Sequence, residues 1–144
     1  METEPTIIAE YITTGKAKLV YRHLTQIGQE SVVTAEASEC AADQGAFWPM
    51  REALYVRQDE VYAASDLGTT LAGFAQDLGL DTMAFNDCMQ THKHLGAVEA
   101  DHQAATADGV RSRPVFDIAP NGKRIIGAQP LRVFQQLLDA AAGS

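Results

Sequence analysis

The chain has few of the features that mark secreted, membrane-bound or nucleic-acid-binding proteins. Cys40 and Cys88 are the only cysteines among its 144 residues, so it lacks the framework of disulfides that holds many small secreted domains together. No apolar run approaches the roughly 20 residues that a helix needs to cross a bilayer. The net charge of −8 disfavours contact with phosphate backbones or anionic lipids. We therefore expect neither a nucleic-acid partner nor a membrane partner.

The first residues do not resemble an export signal, and the sequence contains no paired-cysteine redox motif. Its first five residues, Met-Glu-Thr-Glu-Pro, are acidic where a signal peptide would be basic and then apolar, which predicts a cytoplasmic location. No Cys-x-x-Cys sequence occurs in it. The chemistry of two thiols that share one turn of chain is therefore not expected.

The residues that are present are typical of one globular domain spanning residues 1–144. Hydrophobic residues make up 46% of the chain and charged residues 21%, which is ordinary for a soluble fold. No internal repeat and no low-complexity linker divides the chain. We therefore predict one domain with a single continuous architecture.

Apolar residues recur at helical spacing in seven stretches, and extended segments lie between some of them. Asp81 is placed to cap one of these helices, and Asn121-Gly122 is a strong turn signal between two strands. The predicted helices are residues 4–14, 30–44, 47–57, 67–78, 81–89, 95–108 and 130–141. The predicted strands are residues 18–24, 115–119 and 123–126. The predicted order is helix, strand, five helices, two strands and helix.

Several short motifs occur in an order and spacing that together are more specific than any one of them. They are Leu19-Val20-Tyr21-Arg22-His23, Ala35-Glu36-Ala37 with Cys40-Ala41, Gly45-Ala46-Phe47-Trp48, Leu78-Gly79-Leu80-Asp81 with Phe85-Asn86-Asp87-Cys88, Gly109-Val110, and Gly127-Ala128-Gln129-Pro130. In these motifs the chain resembles the DsbA-like family of thioredoxin-fold disulfide oxidoreductases. The resemblance implies an α/β, thioredoxin-like fold with a helical insertion at about residues 30–108. It also implies a truncated core of three strands, in which the family's first strand and Cys-x-x-Cys motif are missing.

The resemblance also points to a binding loop before the second predicted strand. In the family a helix ending in Gly-Val, here Gly109-Val110, precedes a strand that opens at a cis-proline, here Pro114. That loop faces bound substrate, so Arg111, Ser112, Arg113 and Pro114 are the candidate ligand-binding residues. Two guanidinium groups there suit an acidic peptide, and the family's chemistry also allows a small thiol near Arg113. Ordinary solubilising charge is the alternative interpretation of both arginines.

The cysteines carry a weaker signal. Cys40 and Cys88 each fall on the apolar face of a predicted helix, so we expect two buried free thiols, no intramolecular disulfide and no dithiol activity. Cys88 and His92 are weak catalytic candidates, because a helical spacing of four allows a thiolate–imidazolium pair or half of a zinc site. A core position for Cys88 is the alternative that we favour.

Other histidines and acids suggest a metal site only superficially. His92, His94, Glu99, Asp101 and His102 place two groups at best on one helix face, whereas zinc takes three or four convergent ligands. We therefore expect no metal and no other cofactor.

Three functional hypotheses follow from these observations. The first is a non-catalytic derivative of a DsbA-like domain that acts as a binding or interaction module, with no enzymatic activity. We expect it to be a homodimer assembled where the first strand is missing, because unpaired strand edges favour pairing with a second copy. The alternative is a thiol-dependent oxidoreductase or glutathione-type transferase that uses Cys88 or an exogenous thiol at the Pro114 loop. The third is a domain that folds but has no selected activity.

Overall fold

The structure is a computed structural model in which residues 3–119 and 122–143 are described. These residues contain eight α-helices, one π-helical turn and two strands. In chain order the elements are α1 (Thr3–Ile7), the π-helical turn (Ile8–Ile12), α2 (Gly28–Ala42), α3 (Phe47–Val56), α4 (Gln58–Ala63), α5 (Leu67–Asp77), α6 (Thr82–Gln90), α7 (Leu95–Ala107), β1 (Val115–Ile118), β2 (Lys123–Ile126) and α8 (Leu131–Ala142). None of the described helices is both long enough and apolar enough to cross a membrane.

The chain divides into two compact units. One, called the helical unit below, is residues 22–105; the other, called the sheet unit, is residues 1–21 together with residues 106–144. The predicted architecture of a helical insertion within a strand-containing fold therefore has a counterpart in the structure.

The helical unit is built around α2, which contacts α3, α5 and α6. Most of the buried positions of α2 are small residues, and small side chains let neighbouring helices approach closely. The larger core side chains therefore come from the surrounding helices. The fully buried large ones among them are Met50, Leu71, Phe74 and Phe85. This arrangement leaves the centre of the unit filled by residues from four helices.

Side-chain caps begin two of the helices around α2. The Asp66 carboxylate accepts a hydrogen bond from the backbone N–H of Thr69 at the start of α5. Asp81 Oδ1 accepts hydrogen bonds from the backbone N–H groups of Met83 at 2.9 Å and Ala84 at 3.0 Å. These N–H groups have no partner within the helix, so the cap satisfies them. The cap predicted at Asp81 is confirmed.

We expect Asp81→Ala to lower the free energy of unfolding by about 1 kcal/mol, because it removes the acceptor for both N–H groups. Urea denaturation followed by circular dichroism measures the change. Asp87→Ala is the matched control, since Asp87 is exposed in the same helix and caps nothing in the described structure. Its effect should stay within about 0.5 kcal/mol. Equal losses in the two variants would show that the cap contributes nothing specific.

The sheet unit contains one antiparallel pair of strands packed on α8. Val115 of β1 pairs with Ile126 of β2, and Ile118 pairs with Lys123. The rings of Phe116 and Phe134 meet edge to face with centroids 5.0 Å apart, which joins β1 to α8. Both strands lie where the sequence predicts them.

Two further features belong to the sheet unit. In the turn between the strands, Gly122 has a φ of +66°, which glycine adopts without strain, while Asn121 lies outside the described residues. The N-terminal helical segment is joined to α8, because Tyr11 Oη donates a hydrogen bond to Asp139 Oδ1 at 2.9 Å.

The strand predicted over residues 18–24 does not form, and that prediction is wrong. Residues 17–26 have no regular secondary structure, and the sheet of the described chain contains β1 and β2 alone. Aromatic and β-branched residues favour an extended backbone, but a strand also needs a neighbour that pairs its N–H and C=O groups. The core therefore has two strands rather than the three that were expected.

The helical unit also contains a helix that was not predicted. The sequence indicated five helices between residues 30 and 108, whereas six are present because α4 follows α3 after Arg57. Val61 is the one buried residue of α4. A six-residue helix with a single buried position produces no detectable apolar periodicity, which explains why it was missed. The N-terminal helix is also shorter than predicted and ends in a π-helical turn at Ile12.

Candidate functional site

The helical unit contains a buried disulfide between Cys40 of α2 and Cys88 of α6. The two Cα atoms are 5.8 Å apart, and the residues are 1% and 6% exposed. The prediction of two free thiols with no intramolecular disulfide is wrong. Each cysteine does lie on the apolar face of its helix, as predicted. Those two faces pack against each other, and that packing brings the sulfurs together.

A polar cluster lies beside this disulfide. Asp43 follows the last residue of α2, and its Oδ2 is 2.8 Å from Lys93 Nζ, 2.9 Å from His94 Nε2 and 3.8 Å from Cys88 Sγ. Hydrogen bonds from Lys93 and from His94 hold the pKa of the Asp43 carboxyl below its usual value. The carboxylate is therefore a charged group at the edge of the disulfide.

His94 completes a compact group of metal-ligand atoms. One ring nitrogen of His94 and the sulfurs of Cys40 and Cys88 all lie within 4.8 Å of one another. The His94 side chain is 20% exposed, so the imidazole is the part of the group with the most contact with solvent. His94 arrives there because α6 ends at Gln90 and a turn with a positive φ at His92 precedes α7. The sequence placed His94 in a loose set of histidines and acids without connecting it to either cysteine.

The acidic face of α2 binds histidines from other segments. Glu36, Glu39 and Asp43 lie at helical spacing on one face, and each contacts a different imidazole. The three pairs are Glu36 Oε1 with His92 Nδ1 at 3.2 Å, Glu39 Oε1 with His23 Nε2 at 2.7 Å, and Asp43 Oδ2 with His94 Nε2 at 2.9 Å. The Cys88–His92 pair considered from the sequence is therefore replaced by two other contacts, since Cys88 bonds to Cys40 and His92 contacts Glu36.

Asp101, which belongs to the set of histidines and acids considered from the sequence, forms a different contact. Asp101 accepts hydrogen bonds from Arg22 Nη1 at 3.1 Å and from the backbone N–H of His23 at 3.0 Å. These bonds fix the extended segment that begins the helical unit. Asp101 therefore positions backbone and does not join His94.

The predicted binding loop belongs to the sheet unit and is described separately. Arg111, Ser112, Arg113 and Pro114 are all exposed, and the Arg113–Pro114 peptide bond is cis. Within residues 3–119 and 122–143, neither Arg111 nor Arg113 forms a salt bridge. The loop thus presents two guanidinium groups directly before β1.

A cross-strand ion pair joins β1 and β2 next to this loop. Arg124 of β2 contacts Asp117 of β1 through Nε at 2.6 Å and Nη2 at 2.9 Å, and it also donates to the backbone oxygen of Asp108 at 3.0 Å. The hydrogen bond from Arg124 lowers the pKa of the Asp117 carboxyl. The Arg124 side chain therefore bonds to residues of the sheet unit itself, whereas the two loop arginines form no salt bridge in the described chain.

Comparison with known proteins places this architecture in a family. A family model described as Thioredoxin matches residues 1–140. The protein named Na(+)/H(+) antiporter NhaA 3 of Salinispora tropica is 30% identical over 145 residues, which is 99% of this chain and 21% of that protein. The Na(+)/H(+) antiporter NhaA of Herminiimonas arsenicoxydans is 32% identical over 124 residues, which is 86% of this chain and 19% of that protein.

The chain spans about a fifth of the length of these curated relatives. The family match, by contrast, covers almost all of the chain and both units of the structure. The thioredoxin-like fold inferred from the ordered motifs is thus confirmed, and the chain belongs to the thioredoxin family.

Proposed function

We propose that this chain is a non-catalytic thioredoxin-family module that binds an extended acidic peptide along the edge of β1. The observation that carries the proposal is the position of two exposed arginines, Arg111 and Arg113, directly before a strand whose second edge pairs with no other strand of the described residues. An open edge binds a peptide by adding a strand to the sheet, and charges beside it select the peptide.

The hydrogen-bond pattern identifies which backbone groups face the open edge. The Gly127 N–H donates to the Pro114 oxygen at 2.8 Å, so Pro114 faces β2. Facing directions alternate along an antiparallel strand, so the N–H and C=O groups of Val115 and Asp117 point to the other side. The sheet of the described residues has two strands, so no third strand pairs with β1 there. Val115 and Asp117 would therefore supply the backbone bonds to a peptide.

The charge around this edge favours an acidic ligand. The whole chain carries a net charge of −8, yet the segment leading into β1 carries two guanidinium groups within three residues. Guanidinium groups bind carboxylates through paired, geometrically fixed hydrogen bonds. A peptide with acidic residues at one end and alternating side chains along the rest matches both the arginines and the strand edge.

Burial of the cysteines supports a non-catalytic role over the thiol-dependent alternative. Thiol–disulfide exchange requires a thiolate to approach one sulfur of the disulfide, and access limits its rate. Cys40 is 1% exposed and Cys88 is 6% exposed. Rapid turnover at this disulfide is therefore disfavoured, whereas peptide binding at β1 requires no sulfur.

The relatives suggest where such a module would act. They are named Na(+)/H(+) antiporters, and this chain corresponds to about a fifth of their length. This supports a role as an accessory binding module of an antiporter of this kind. Under this proposal, the acidic ligand is a segment of the antiporter.

The proposal is tested with a fluorescent ten-residue peptide that has three acidic residues followed by alternating valine and threonine. We expect binding, measured by fluorescence anisotropy, that weakens with added salt. Arg113→Glu should weaken it on the order of tenfold or more, because attraction becomes repulsion beside the edge. Arg132→Glu is the matched control, because Arg132 is exposed on α8 and its substitution changes the net charge by the same amount as Arg113→Glu. A peptide with lysines in place of the acids should not bind.

Two results would contradict the proposal. One is equal weakening in both charge variants, which would reduce the effect to net charge. The other is occupation of the same edge by a second copy, as in the homodimer predicted from the sequence. Sedimentation equilibrium tests this second result: a mass near 15.5 kDa leaves the edge available, whereas a stable dimer that excludes the peptide overturns the proposal.

A further inference from the structure

We propose that Cys40, Cys88 and His94 form a zinc site when the Cys40–Cys88 disulfide is reduced. The three ligand-type atoms lie within 4.8 Å of one another, and they come from α2, α6 and the turn before α7. Two thiolates and one imidazole are a ligand set that zinc prefers. The disulfide and the metal site exclude each other, because the disulfide occupies both sulfur ligands.

The helices hold the backbones of Cys40 and Cys88 at a separation that suits metal binding once the disulfide is reduced. Tetrahedral zinc with Zn–S bonds of about 2.3 Å places two sulfurs about 3.8 Å apart. The Cα atoms of Cys40 and Cys88 are 5.8 Å apart. Rotation about each Cα–Cβ bond separates the sulfurs by the required amount, so α2 and α6 can keep their packing. In the metal-bound form the His94 ring nitrogen lies about 2.0 Å from the ion.

Asp43 supplies the outer contact that a zinc-binding histidine usually makes. The carboxylate contacts His94 Nε2 at 2.9 Å. With this contact kept, the proposal assigns His94 Nδ1 to the metal. A carboxylate in this position fixes the ring orientation and increases the basicity of the ligand nitrogen. Lys93 Nζ contacts the same carboxylate at 2.8 Å and holds it in place. Asp43 is therefore a positioning residue, and a water molecule takes the fourth position on the metal.

The reaction that opens the site balances with a dithiol reductant. The dithiol gives two electrons and two protons to the Cys40–Cys88 disulfide; the S–S bond breaks, two thiols form, and the reductant becomes a disulfide. Zinc then displaces the two thiol protons into solvent as the two Zn–S bonds form. The partial exposure of His94 gives the ion a route to the sulfurs. Slow reduction suffices for this switch, so it is compatible with the burial that disfavours rapid turnover.

The test uses the full chain, reduced without oxygen by a water-soluble phosphine, which is oxidised to the phosphine oxide with one oxygen from water. Co²⁺ is added first, because its thiolate complexes absorb in the near ultraviolet and visible regions, and Zn²⁺ is then added in competition with a coloured chelator. We expect one metal ion per reduced chain and none per oxidised chain. His94→Ala should weaken zinc binding by more than about 100-fold, since losing a ligand costs more than losing an outer contact.

Matched variants separate this site from general metal binding by histidines. His92→Ala should change zinc affinity little, because His92 contacts Glu36 and lies outside the three-atom group. Asp43→Asn should weaken binding by roughly 10- to 100-fold while the cobalt–thiolate absorption remains. Far-ultraviolet circular dichroism of each reduced variant shows whether it is folded. Absence of metal binding by the folded reduced chain, equal binding by the oxidised chain, or equal effects of His92→Ala and His94→Ala would each overturn the proposal.

Discussion

Reducing the Cys40–Cys88 disulfide is expected to lower the free energy of unfolding by about 4 kcal/mol. The bond closes a loop with a sequence separation of 48, and the loss of loop-closure entropy in the unfolded chain gives this value. Typical domains have about 5–15 kcal/mol of stability, so the loss is a large fraction of the total. The effect should be strongest in the helical unit, because both cysteines join helices of its core.

Urea denaturation of the oxidised and reduced chains measures this difference. A chelator must be present in both samples, because a metal bound to the reduced chain would stabilise it and hide part of the loss. The double variant Cys40→Ala/Cys88→Ala is the control, and its stability should not respond to the reductant. A difference below about 1 kcal/mol between the oxidised and reduced chains would show that the disulfide does not stabilise the fold.

Phe74→Ala should cost about 3–5 kcal/mol, because the variant leaves a cavity in the helical unit. Phe74 is fully buried on α5, and the Arg57 guanidinium lies 3.8 Å from the centre of its ring. Arg57 also contacts Glu60 at 2.8 Å and Asp77 at 2.7 Å, which raises the pKa of its guanidinium above the usual value. The contacts with Glu60 and Asp77 orient the Arg57 guanidinium over the ring. The variant therefore loses both apolar contacts and a cation–π contact.

Thermal and urea denaturation of two further variants show whether the loss of stability in Phe74→Ala comes from the cavity. Phe74→Leu should lose less than Phe74→Ala, because leucine fills more of the space. Tyr62→Ala is the surface control, since Tyr62 is 55% exposed, and its effect should stay within about 0.5 kcal/mol. A loss in Phe74→Ala no larger than that in Tyr62→Ala would show that this core position is not tightly packed.

The extent of successful prediction differs between local and long-range features. The Asp81 cap and the helices from Leu67 onward follow from side chains within a few residues, and the structure confirms them. The strand predicted over residues 18–24 depends on a distant partner, and it did not form. Short α4 falls between these cases, because its single buried residue, Val61, is too little signal to separate it from α3.

The candidate site shows the same division. Helical spacing correctly placed Cys40 and Cys88 on apolar faces, but it contained no information on whether those faces meet. His92 and His94 are two residues apart, yet one contacts Glu36 and the other contacts Asp43. That difference depends on the turn after α6, where His92 has a φ of +49°. The position of His94 beside the disulfide could not be recognised without it.

By itself, the sequence determined the thioredoxin-family membership, the positions of most helices, the β1–β2 hairpin and the burial of both cysteines. These properties depend on ordered motifs, local spacing and local hydrogen bonding, which are present in the chain before it folds. Only the tertiary structure decided that the cysteines form a disulfide and that His94 lies beside it. The physical reason is that both contacts require α2, α6 and the turn before α7 to pack together, and packing between distant segments depends on the complementarity of whole surfaces.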